Sequence, residues 1–286
     1  MKNLFRRNWY TEVCHSGTNL LKAKTSYIDS FQEIIAHLVV DVNSFKIKEA
    51  YLEKLRSFES INVITQQVEP LIDKEINYGF SSALKEATEF LENPLATTLF
   101  AETIKGIIQA QNFLFEECGY ASLEEYDTHR CRELACSCRY FSTLDRITQC
   151  WYEKIGNKRR NTVFMRFKTQ SLFALKKGQY FLTGNLRDSL HEVNASIRIG
   201  DFLVEEATGE LLRSPDPVCR EAAEFMGNLK GVNLKGKTKK EIALLLGKGQ
   251  GCVHLIDLVD DCTHIFEIFN QNPLTYEAGQ SSSGEA

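Results

Sequence analysis

The chain of 286 residues sets 34 Lys and Arg against 38 Asp and Glu, a net charge of −4, and so offers no global attraction for nucleic acid or anionic lipid. An apolar fraction of 43% with 5 Pro and 17 Gly belongs to an ordinary globular chain and excludes a collagenous or wholly disordered one. No apolar run approaches the roughly 20 residues of a membrane helix, and Met1–Arg7 turns polar without a secretory core; the expected setting is cytoplasmic, where the nine cysteines are buried, metal-binding or reactive rather than paired.

Taken in chain order, the first expected strand is Leu20–Ile28, followed by a β-hairpin through the turn Asp41-Val42-Asn43-Ser44 and, further on, an apolar helix around Leu99. Residues 111–160 read as a helical connector, because Phe113, Leu114, Leu123, Tyr126, Leu134, Tyr140, Leu144, Ile147 and Trp151 recur at roughly helical spacing without a proline. Next come a strand over Gln179–Leu186 and a hairpin in which Ala195–Ile199 alternates, Gly200-Asp201 turns and Phe202–Glu205 resumes. Pro215-Asp216-Pro217 opens a helix to about Leu229. A second helix follows Thr238, which with Glu241 has capping-box spacing, and stops at Gly247. After Gly249-Gln250-Gly251 a third helix presents Val253, Leu255, Ile256, Leu258, Val259, Cys262, Ile265, Phe266 and Phe269 on one broad apolar face. The tail, 271–286, has little to bury and is expected to be disordered.

These elements repeat. Phe5, Arg7, Asp29, Ser30, Glu33 and Ala36 recur as Phe164, Arg166, Asp188, Ser189, Glu192 and Ala195 at one constant separation. After a two-residue deletion in the hairpin turn, Phe45, Glu49, Ala50, Glu53, Leu55, Arg56 and Ser57 recur as Phe202, Glu206, Ala207, Glu210, Leu212, Arg213 and Ser214. The expected organisation is an α+β tandem duplication of a β-meander followed by helices: a first copy over 1–110, a connector over 111–160, a second copy over 161–270 and a tail.

The repeat separates scaffold from chemistry. Asp29 and Asp188 are common to both copies and read as fold determinants, with Arg56 and Arg213 expected to pair with strand carboxylates such as Glu49 and Glu206. Cys219 falls opposite the region of Asn62, and Gly251-Cys252-Val253-His254 falls opposite Asn93-Pro94-Leu95-Ala96-Thr97-Thr98, so the thiols and the imidazole belong to the second copy alone. Cys219 at a helix N-terminus is expected to have a depressed pKa, and the glycines before Cys252 let another group approach the backbone closely or cradle a phosphate. Cys118, Cys131, Cys136, Cys138 and Cys150 form a further candidate cluster, without the Cys-x-x-Cys knuckles of a zinc module. No nucleophile elbow, Walker loop or dinucleotide fingerprint is present.

Gly184-Asn185-Leu186-Arg187-Asp188-Ser189, the Ile197–Val204 hairpin, Pro217-x-Cys219, Gly236-Lys237-Thr238 and Gly251-Cys252-x-His254-Leu255 make the second copy resemble the bacterial domain-of-unknown-function family numbered 2889; the first copy resembles a degenerate member. A more distant resemblance is to the U-type iron–sulfur cluster scaffolds, in their order of ligand, strand hairpin, ligand at a helix start and final Cys at the last helix, and in Lys235-Gly236-Lys237. That resemblance implies metal ligands at Asp188, Cys219, Cys252 and His254, with Arg187-Asp188-Ser189 standing where those scaffolds carry Cys-Gly-Asp. One Asp, two Cys and one His suit zinc as well as an iron–sulfur cluster. The expected function is a non-catalytic, thiol-based metal-binding or sulfur-handling protein. The alternatives are a module binding a small molecule or protein partner, and a Cys/His enzyme with Cys219 as nucleophile and His254 as base.

Overall fold

The computed structural model describes residues 1–58, 60–77, 79–155, 159–176 and 178–271. It divides into two bodies, one of residues 8–133 and 150–167, the other of residues 1–7, 134–149 and those from 168 onward. Both are α+β, with antiparallel strands carrying helices. The tail lies outside the described residues.

The first body holds β1 (Lys2–His15, less its first residues), β2 (Leu20–Ile28), β3 (Glu33–Asp41), β4 (Ile47–Arg56) and β5 (Ile64–Gln67), in the order β5-β4-β3-β2-β1. In β3 the alternation is direct: Ile34, Ala36, Leu38 and Val40 are buried. Helices α1 (Ser81–Thr88), α2 (Ala96–Ala110) and α3 (Leu123–Glu133) follow. α2 lies on β2 and β3 through Leu99, Phe100, Ile104 and Ile107. Beneath it Thr103 donates to Thr25 at 2.8 Å, and Thr25 bonds Thr11 at 2.9 Å, a neutral hydroxyl chain. Gly106 is required here, since a Cβ would fall 2.6 Å from the Thr11 methyl.

The second body holds the short helix α4 (Arg139–Ser142), then β6 (Thr162–Lys176, from Lys168 on), β7 (Gln179–Asp188), β8 (Glu192–Gly200) and β9 (Leu203–Arg213), in that order in the sheet. The hairpin turns on Asp201 and Phe202, both left-handed at φ 47° and 67°, one residue later than expected, because Gly200 is still paired with Leu203. Pro217–Leu229 is helical with i→i+3 bonding, and α5 (Lys239–Leu245) carries the expected Thr238/Glu241 capping box. α6 (Val253–Gln271) packs on β7 and β8.

A row of small residues across three strands, Gly184 opposite Ala195 opposite Gly209, sets α6 down closely. A Cβ on Gly184 would lie 3.1 Å from Cys262 Sγ, and one on Gly209 would lie 2.9 Å from Met226 and 3.0 Å from Leu255. Under the helix Asp261 accepts from Lys168 at 2.8 Å, from Gln170 at 3.2 Å and from Arg7 at 3.3 Å, all four side chains being buried. This ionic anchor and the small-residue row fix where the first turn of α6 arrives.

The segment expected as one helical connector is instead a series of short pieces: 3₁₀ turns at Gln111–Phe113, Leu144–Arg146 and Trp151–Lys154 around α3 and α4. Turns separate them, and Cys136 adopts a positive φ of 58° that a continuing helix cannot accommodate.

Candidate functional site

At the end of β7 the chain reverses through Asp188. Its Oδ1 accepts the backbone N–H groups of Leu190 and His191, both at 2.8 Å, while its own N–H donates to the His191 carbonyl at 2.9 Å. Arg213 donates to the carbonyls of Asp188 at 2.7 Å and His191 at 3.2 Å. Arg56 does the same for Asp29 at 2.6 Å and Ser30 at 3.3 Å. The expected carboxylate pairing is therefore corrected: these arginines cap turn carbonyls, and Glu206 bonds Arg198 instead.

The turn also aims an imidazole. His191 Nδ1 lies 3.0 Å from Asp188 Oδ1. A carboxylate can only accept, so Nδ1 donates to it, and in the neutral ring the lone pair then lies on Nε2. The His254 ring, from the first turn of α6, packs against His191 with centroids 4.0 Å apart and the ring planes tilted by 36°. Ligand atoms of Asp188, His191 and His254 all fall within 4.8 Å of one another. On the other side of His254, its Nδ1 lies 3.9 Å from Cys252 Sγ.

Residues 179–271 match the model of the family described as a protein of unknown function, DUF2889. No curated protein and no solved structure matches the chain. The DUF2889 region runs from β7 to the end of α6, and so contains Asp188, His191, Cys219, Cys252 and His254.

Cys252 stands just before α6, with Ile256 N–H bonded to its carbonyl at 3.0 Å. Burial pushes its thiol up to about 12, outweighing the N–H groups of Leu255 and His254 that favour the thiolate; negative charge on Cys138 or Cys219 would raise it further. Cys219 is likewise held at about 11 by burial, against hydrogen bonds from the Asp216 backbone and Ser214. The expected depression at Cys219 is thus reversed, since desolvation there exceeds the pull of the helix terminus. Burial favours the protonated form of both thiols.

The structure brings Cys252 beside His254 and His254 beside Asp188 and His191, while Cys219 lies in the first turn of the Pro217–Leu229 segment. His191 escaped the sequence reading, though a signal existed: at the constant separation that pairs Asp29 with Asp188, it replaces Gln32. The other cysteines divide. Cys118, Cys131 and Cys150 lie in the first body, where burial raises Cys118 to about 12 and Cys131 donates to Asp127 at 3.8 Å. Cys136 and Cys138 lie in the second.

The glycine loop before Cys252 admits backbone rather than phosphate. Ser142 Oγ donates to the Gly249 carbonyl at 2.6 Å, Arg139 N–H donates to the Gly251 carbonyl at 2.8 Å, and a Cβ on Gly249 would fall 2.2 Å from the Cys136 carbonyl oxygen. On the open face of the second body's sheet, Thr169, Thr183, Asn185, Asn194, Ser196 and Thr208 line a polar trough of about 300 Å³.

Proposed function

We propose that the DUF2889 region binds a single borderline divalent metal ion, of the zinc class, through His191, His254 and Cys252, with Asp188 as the carboxylate that orients His191. The observation that supports this reading is that ligand atoms of Asp188, His191 and His254, from the β7–β8 turn and the start of α6, lie within 4.8 Å of one another, with the Cys252 thiol 3.9 Å from the far side of His254. A carboxylate on the far nitrogen of a ligating histidine fixes its tautomer and raises its basicity, the usual second shell of such sites. Two imidazoles and one thiol favour one ion over an iron–sulfur cluster, which thiolates dominate. The ion would hold the first turn of α6 to the β7–β8 turn, a binding or structural role rather than a catalytic one.

The first body is, in this reading, a degenerate second instance of the same unit. What supports it is the shared device: Asp29 accepts Phe31 and Gln32 N–H at 2.7 and 2.8 Å, as Asp188 accepts Leu190 and His191. The irregularities between Glu33 and Ile34 and between Val39 and Val40 also recur between Glu192 and Val193 and between Arg198 and Ile199.

Zinc titration against a chromogenic chelator tests the metal reading: wild type takes up zinc, His254→Ala loses it, and Asp188→Asn weakens it by about 10–100-fold. Equal uptake by wild type and His254→Ala would end it. The polar trough supports the second reading, a small-molecule module, which predicts a thermal shift with ligand that survives loss of Cys252 and His254.

A further inference from the structure

Each body has an edge strand, β5 in the first and β9 in the second, and the two edges are guarded differently. An edge offers a row of main-chain N–H and C=O groups to any passing strand, and proteins blunt it with charge, with proline or with covering chain. On β9 the charge comes from Glu205, Glu206 and Glu210, and a later segment covers its start: Val204 N–H donates to the Val232 carbonyl at 2.9 Å, and Gly231 N–H donates to the Val204 carbonyl at 2.8 Å. On β5 the chain is bare of such guards. Ser60-Ile61-Asn62-Val63-Ile64-Thr65-Gln66-Gln67-Val68 contains no charged residue and no proline, and among the described residues β5 pairs with β4 alone.

The ladder shows which groups are on offer. Val68 N–H donates to the Ala50 carbonyl at 2.9 Å, in the same register that sets Gln66 against Leu52 and Ile64 against Lys54. The main-chain groups of Ile64, Gln66 and Val68 therefore face β4, and the alternation of an antiparallel pair turns those of Thr65 and Gln67 outward. All four side chains of β5 are exposed, on both faces of the strand. The apolar ones in and just before it stand far into solvent, Ile61 at 83% exposure, Val63 at 67% and Ile64 at 58%.

We propose that β5 is the interface of a homodimer, in which residues 61–67 of one copy pair antiparallel with the same residues of a second about a twofold axis and so continue the sheet. Two observations select a second copy as the occupant. A twofold axis sets one short segment against itself, so a charge within it comes close to its own like-signed copy; a segment without charge carries no such penalty. A foreign strand, by contrast, is selected by pockets for its alternate side chains, and a strand exposed on both faces has no walls to form them. In the dimer the outward groups of Thr65 and Gln67 gain main-chain partners, and Ile61, Val63 and Ile64 leave water. The interface is independent of the metal reading and lies outside the DUF2889 region.

Sedimentation equilibrium of the full-length protein at low to high micromolar concentration tests this, with amide exchange read residue by residue on the same samples. Ile64→Lys brings like charges together across the axis, and Thr65→Pro removes an outward N–H while leaving the β4–β5 bonds in place. Leu212→Lys puts the same kind of charge on β9 as a control. The expected result is a monomer–dimer equilibrium in wild type and in Leu212→Lys, with dissociation constants at least about 10-fold higher in both β5 variants. In wild type the amides of Thr65 and Gln67 exchange more slowly as concentration rises, whereas those of Ile64 and Gln66 are protected at every concentration. Wild type that stays monomeric, or a dimer that either β5 variant leaves as tight as before, would overturn the proposal. Should a variant fail to fold, the wild-type exchange decides: Thr65 and Gln67 amides indifferent to concentration would overturn it as well.

Discussion

The turn at Asp29 and the turn at Asp188 are built alike, yet among the described residues only the second has metal-type side chains gathered at it. In both, one carboxylate oxygen collects two backbone N–H groups and an arginine from β4 or β9 caps the Asp carbonyl. Where the first has Gln32, the second has His191, and where α2 begins with Ala96-Thr97, α6 begins with Val253-His254. The carboxylate is thus explained by the turn, and the imidazoles and thiols are what the turn does not need. The helices differ in their anchoring too: α2 rests on a neutral hydroxyl chain, α6 on a buried ionic cluster.

The largest effect should come from that difference. Asp261→Ala removes the carboxylate that buried Arg7 and Lys168 share and is expected to cost about 3–5 kcal/mol, whereas Thr103→Val in the first body, which leaves Thr11 and Thr25 bonded, costs about 1 kcal/mol; urea unfolding of each compares them. Equal losses would break the contrast.

Next is the pair of turns. Asp29→Ala and Asp188→Ala each leave two backbone N–H groups without their acceptor, at about 1–3 kcal/mol, but only Asp188→Ala is expected to lower zinc affinity. A metal defect in Asp29→Ala would erase the distinction between scaffold and site.

Gly209→Ala comes third: the added methyl meets Met226 at 2.9 Å and Leu255 at 3.0 Å, and about 1–3 kcal/mol with weaker zinc binding is expected as the start of α6 lifts from the β7–β8 turn. Stability loss with unchanged affinity would show that the small-residue row does not position the site.

The smallest concerns pH. Burial pushes Asp216 upward, but the N–H groups of Val218, Thr148 and Gln149 and the Thr148 hydroxyl outweigh it and hold the carboxyl below its ordinary 3.8. Its stabilisation is therefore complete above that value and is lost as pH falls through the depressed one. Acid unfolding of Asp216→Asn should show a shallower loss there than wild type, and an identical profile would remove Asp216 as the anchor of Thr148 and Gln149.

Much of this was legible in the sequence. The span of β2, the capping box and the apolar face of α6 follow from alternation, spacing and composition. β1 and β6 did not, because Arg7 and Thr11 in one and Arg166, Lys168 and Gln170 in the other point inward and break the hydrophobic alternation. The one-residue shift of the β8–β9 turn was hidden because Phe202 is an unusual left-handed residue. Cys252 and His254 stand out through their spacing, and the repeat register exposes His191.

The most direct measurement is the metal and acid-labile sulfide content of wild type and Cys252→Ser, purified without chelator under nitrogen. The account predicts one zinc-class ion per wild-type chain, no sulfide, and no ion in the variant. Folded wild type that is metal-free and takes up no added zinc would contradict it.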